Sequence, residues 1–188
     1  MIWVRRLLFA AVGLVLIALL GYNLFKTQIA SAAFNRALDQ RVGVDPSLEL
    51  PDGLHVYLCG TGSPMPDATR AGPCLGVIAG TRPFVFDVGS GGARNLGAMG
   101  FPTQRLEAVY LTLLHSDHID GLGELLTISW IGGSRTEPTP VRGPMGTQEV
   151  VNGFNAAYRL DSTYRIAHHG TTVANPKGYG GNAEEIVI

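Results

Sequence analysis

The chain has 188 residues, a formal net charge of −1, and 46% apolar against 15% charged residues. That length suits one domain with a sizeable core but is short for two, and with no basic run beyond Arg5-Arg6 nothing in the charge pattern indicates a nucleic-acid partner. Two cysteines, Cys59 and Cys74, exclude a disulfide framework and are read as small buried apolar side chains, with a single bridge as the alternative.

Residues 7–25 carry no charge and are flanked by Arg5-Arg6 and Lys26. The roughly 20 residues needed to cross the hydrocarbon core are met. A transmembrane anchor over residues 1–25 is expected; a cleaved signal peptide is the rival, with the small residues Ala30-Ser31-Ala32-Ala33 as its cutting site. Two arginines before the apolar run and one lysine after it predict a cytoplasmic N-terminus, so the domain faces the periplasm or cell exterior. Residues 26–52 are expected as a stalk, with a short helix over 30–41 and a linker punctuated by Pro46 and Pro51.

The domain follows over residues 53–188. Residues 54–59 alternate and favour a strand, which breaks at Gly60-Thr61-Gly62-Ser63-Pro64. Two further strands, 74–79 and 83–88, flank the turn at Gly80-Thr81. A turn at Gly89-Ser90-Gly91-Gly92 leads to a helix over 93–99; this glycine run lacks the Lys-Ser/Thr of a phosphate-binding loop. Residues 106–114 are nearly continuously apolar, as in a strand covered on both faces, followed by a loop over 115–120 and a helix over 121–130. A helix over 146–160 is weakened by Gly153, the segment beyond Asp161 is poorly patterned, and a strand starts at 185–188.

Chemistry concentrates in one place. His115, Asp117 and His118 lie within four residues, behind a buried strand and ahead of Gly121 and Gly123. Neutral imidazole nitrogen and anionic carboxylate oxygen both suit zinc or a similar divalent ion, and Asp120 is available to orient a ligand. The bland alternative is a set of polar loop side chains. Trp130 reads as core; Tyr158, Tyr164, Arg159 and Arg165 are candidates for a substrate cleft or for ordinary helix-face packing and solvated charge.

Thr112-Leu113-Leu114-His115-Ser116-Asp117-His118-Ile119-Asp120-Gly121-Leu122 resembles the T-H-x-H-S-D-H-I-D-G-L motif of metallo-β-lactamase-fold hydrolases in their ribonuclease Z and arylsulfatase-like branch. Gly60-Thr61-Gly62-Ser63-Pro64 and Phe86-Asp87-Val88-Gly89-Ser90-Gly91 resemble two further motifs of that branch, in the same order. The resemblance implies an αββα sandwich, of which this chain would hold the N-terminal half only and so be C-terminally truncated, preceded by one transmembrane helix. It implies Zn2+, with His115 as ligand of a first ion and Asp117 and His118 as ligands of a second. Asp117 would also be catalytic, managing the proton of the attacking water, and Asp87 would brace the histidine loop.

The pattern departs from the family at Leu113, which stands where the first histidine of H-x-H-x-D-H belongs; His168-His169 is a weak candidate for a later ligand. Two functions are therefore expected as alternatives. One is a zinc-dependent hydrolase of a small-molecule or nucleotide ester, a phosphodiester foremost; the other is a catalytically inactive remnant that serves at most as a binding module.

Overall fold

The computed structural model describes residues 2–39, 45–65 and 67–187. They form two compact units, divided between Val44 and Asp45.

The first unit is one helix, α1 (Ile2–Asp39). Its stretch Ile2–Arg36 is long and apolar enough to cross a membrane by length and composition. Neither proline nor a β-branched run interrupts residues 26–39, so the helix continues where a separate short one was expected. Arg41, the expected end of that short helix, lies outside the described residues.

The second unit is a six-stranded sheet in the order β1 (Leu54–Gly60), β2 (Cys74–Ala79), β3 (Arg82–Val88), β4 (Ala108–Tyr110), β5 (Thr139–Gly143) and β6 (Gly181–Glu185). The first three strands are antiparallel and the last four run parallel. Parallel neighbours need crossovers, and these are α2 (Gly92–Ala98), the pair α3 (Ser116–Ile119) and α4 (Leu122–Gly133), and α5 (Thr147–His169). Gly80, at φ 61°, makes the tight β2–β3 turn with Thr81.

The core lies on one face of this sheet. Ile78, Val85, Val109 and Val141 from the strands meet Leu96, Leu122, Leu125 and Val151 from the helices. Trp130 is fully buried and its indole N–H donates to the Asn175 carbonyl at 2.7 Å, so the core reading of that residue holds. The opposite face is apolar too across β1 to β4, yet Leu54, Val56 and Leu58 are 68%, 56% and 63% exposed.

Four expectations are corrected. Cys59 and Cys74 are joined by a disulfide, their Cα atoms 5.0 Å apart, because the bulged β1–β2 register brings the two strand ends together. The strand expected over 106–114 is cut to Ala108–Tyr110: the Leu111 amide still donates to the Arg142 carbonyl, but the Thr112 amide turns away to Asp87. Residues 115–120 are not a plain loop but hold the helical turn α3. Helix α5 runs to His169, past Leu160, supported by the Arg165–Asp161 pair at 2.6 Å and ended at Gly170 with φ 76°.

Two strands differ as well. β5 is absent from the sequence reading, since Pro140 and its short length hide it, and β6 begins four residues ahead of the expected 185–188 and ends at Glu185, pairing Thr139 with Gly181 through to Gly143 with Glu185.

Candidate metal centre

The centre begins with a backbone irregularity. Cys74 pairs with Val88 and Leu75 with Phe86, which leaves Asp87 as the extra residue of a bulge at the end of β3. Asp87 has φ 53°, a left-handed conformation that asparagine and aspartate tolerate better than most side chains. The bulge turns its buried carboxylate toward the next parallel strand instead of along the sheet face.

That carboxylate collects three donors. It accepts from the Thr112 amide at 2.8 Å, the Thr112 hydroxyl at 2.6 Å and the His118 Nδ1–H at 2.9 Å. With Nδ1 donating, the lone pair of His118 lies on Nε2, which stands 3.7 Å from Asp117 Oδ2. Two ligands each about 2.1 Å from a tetrahedral zinc ion lie roughly 3.4 Å apart, so this nitrogen and this oxygen are spaced as donors to one ion. A carboxylate behind a histidine ligand is the arrangement that fixes tautomer and ring orientation at zinc sites. Asp117 and His118 therefore fit the group that the sequence implied, with Asp87 as the brace.

His115 is placed differently. It is the residue before α3, exposed, and it does not complete a group with the other two: among the described residues no set of three His, Cys, Asp or Glu side chains is arranged to hold a metal ion. Leu113 contributes no donor. His168 and His169 pack edge to face on each other at the end of α5, their ring centroids 4.7 Å apart, and stay exposed.

Close backbone packing seats α3 on the end of β3. A Cβ at Gly89 would lie 2.1 Å from the Asp117 carbonyl oxygen, so no side chain fits there. Gly89→Ala is expected to cost at least about 2 kcal/mol in urea denaturation, the scale of a severe overpacking defect; a cost within experimental error would show that α3 is not held against the strand. The neighbouring turn has Gly91 at φ 82° and a Gly92 amide donating to the Gly89 carbonyl, which supports the tight-turn reading of this run.

In front of Asp117 lies a cleft of about 270 Å³, lined by Ser63, Asp67, Arg70, Ser90 and Asp120 among others. Its outer wall is the loop whose ends the Cys59–Cys74 bridge clamps. The Thr69 hydroxyl and amide hold the Asp67 carboxyl below the usual carboxylate range. Sequence reasoning missed Thr112, which spends both its donors on Asp87; a threonine closing a buried strand was the available signal.

Among known proteins, ribonuclease Z of Mycobacterium bovis (strain BCG / Pasteur 1173P2) is 45% identical over 125 residues, covering 65% of this chain and 45% of its own length. Ribonuclease Z of Mycolicibacterium gilvum (strain PYR-GCK) is 43% identical over 125 residues, 65% of this chain and 44% of the relative. The metallo-beta-lactamase fold protein YhfI from Bacillus subtilis superposes with a TM-score of 0.50 at 21% identity, over 71% of this chain and 46% of that one. The chain has the metallo-β-lactamase fold, and over the 125 matched residues it is similar to ribonuclease Z.

A long form RNase Z from yeast shows the same fold, with a TM-score of 0.51 at 22% identity, over 68% of this chain and 20% of the yeast protein. No family model matches. The chain spans about 45% of the length of the curated relatives it matches. Within the metallo-β-lactamase fold, the residues brought together here are Asp87, Thr112, Asp117 and His118, all from β3 and the segment after β4.

Proposed function

We propose that the chain is a zinc-dependent hydrolase of the ribonuclease Z-like kind that cleaves a phosphodiester. The observation that carries this reading is the Asp87–His118 hydrogen bond, which leaves His118 Nε2 facing Asp117 Oδ2 across 3.7 Å. Zinc held there would supply Lewis acidity and make a coordinated water more acidic. Asp87 holds the imidazole in one tautomer and orientation. Asp117 would contribute one carboxylate oxygen as a ligand, leaving the other free to accept a proton from water. His115, exposed just before α3, is the remaining candidate ligand.

The substrate class follows from similarity to ribonuclease Z together with a formal net charge of −1, which favours a short phosphodiester over a long RNA held by a basic surface. Residues 7–25 are proposed to anchor the protein, with the Asp45–Ile188 unit outside the cytoplasm. The Cys59–Cys74 disulfide supports that side, since such bridges persist in oxidising compartments.

The test is turnover of bis(p-nitrophenyl) phosphate by the full chain in detergent. Hydrolysis that a chelator abolishes, that zinc restores, and that Asp117→Asn lowers by about a hundredfold or more is expected. A second reading, a non-catalytic binding module, is favoured by Leu113 at a ligand position and by His115 standing apart. Zinc-loaded protein without turnover would select it.

A further inference from the structure

A second and larger cleft, of about 570 Å³, lies among α2, α4 and α5. Ile128 and Ile131 supply its apolar surface, Tyr158 borders it, and Arg94 and Arg165 stand at its sides. It meets the cleft of the metal centre at Asp120, which lines both. Its volume falls in the range of roughly 300–1,000 Å³ typical of small-ligand sites.

The two arginines are held in the same manner. Arg94 donates through Nε to Glu124 at 2.8 Å, and Arg165 through Nε to Asp161 at 2.6 Å. Each guanidinium is thus oriented on one edge by a carboxylate, and among the described residues its terminal nitrogens bond to no other group. A guanidinium fork matches phosphate oxygens two at a time, and a tyrosine beside aliphatic side chains suits the flat face of a base.

We propose that this cleft binds the nucleoside monophosphate portion of the substrate, phosphate on the Arg94 and Arg165 forks and base against Ile128, Ile131 and Tyr158. The proposal rests on the phosphodiester reading of the metal centre and names what flanks the scissile bond there. Glu124, Asp161 and Asp120 cancel the positive charge of the two arginines, so attraction of any anion by net potential is weak. Recognition depends on fork geometry and stacking together, and neither phosphate nor nucleoside alone satisfies both.

The experiment is calorimetric titration of the metal-free full chain in detergent with adenosine 5′-monophosphate, with inorganic phosphate and adenosine as separate probes. Saturable binding of the monophosphate is expected, at least about tenfold tighter than either fragment, and weakened about tenfold or more by Arg94→Gln or Arg165→Gln. The Arg94 side chain is 79% exposed, so its replacement is expected to leave folding intact, which a thermal melt checks. No saturable binding, equal binding of inorganic phosphate, or binding that both variants leave unchanged would overturn the proposal. The probe has no scissile diester and the protein no zinc, so this result and the hydrolysis result stand or fall separately.

Discussion

Asp87→Ala is expected to destabilise the domain by about 1–3 kcal/mol, the cost of leaving buried hydrogen-bond donors without an acceptor. The loss has a specific origin. The Thr112 amide, the Thr112 hydroxyl and the His118 Nδ1–H all donate to this one buried carboxylate, and alanine leaves all three without an acceptor. Alanine also retains a residue with a Cβ at φ 53°, so no backbone strain is relieved. Asp87→Gly removes the same acceptor but relaxes the backbone, and its cost should be smaller by about 1 kcal/mol. Asp87→Asn keeps the shape and loses part of the accepting capacity, so it should fold while weakening zinc about 10- to 100-fold. Urea denaturation of the three variants measures the order, and a loss below about 1 kcal/mol for Asp87→Ala would contradict the bracing role.

Reducing the Cys59–Cys74 bridge is expected to cost about 3 kcal/mol, the chain-entropy value for a loop of about 15 residues. The bridge spans a sequence separation of 15. Its effect reaches the metal centre, because the clamped loop carries Ser63, Asp67 and Arg70 along one wall of the cleft in front of Asp117. Thermal melts with and without dithiothreitol should differ for the native chain. They should coincide for the Cys59→Ala, Cys74→Ala double variant, which itself melts like the reduced protein. Identical melts of the native chain under both conditions would show that the bridge carries no stability.

The parts of the fold that were legible in the sequence are those where one physical signal dominates. β1, β2 and β3 alternate in burial and are separated by glycine turns, so residues 54–59, 74–79 and 83–88 were placed within a residue or so of the observed strands. β5 and β6 were not legible, because TPVRG and GNAEE owe their extended form to parallel neighbours rather than to their own composition. The end of α5 was missed since residues 161–169 lack apolar periodicity, while an ion pair and the absence of any breaker before Gly170 carry the helix on. The disulfide was missed for a different reason: two cysteines on separate segments say nothing of register, and only the bulged pairing of β1 with β2 brings them together.

The site divides the same way. Motif spacing pointed to Asp117 and His118, and the structure sets His118 Nε2 3.7 Å from Asp117 Oδ2. It did not tell that the helical turn α3 would set His115 apart, nor that Asp87 would reach the histidine through a bulge. Leu113 was visible as a departure from the pattern, and it contributes no donor.

Zinc titration of the metal-free full chain, set beside the same titration of His118→Ala, tests the central claim most directly. The account predicts saturable binding to the native chain and an affinity at least about tenfold lower in the variant, as loss of a ligand requires. Equal affinity in the two proteins, or no saturable binding to the native chain, would contradict a zinc site built on Asp117 and His118.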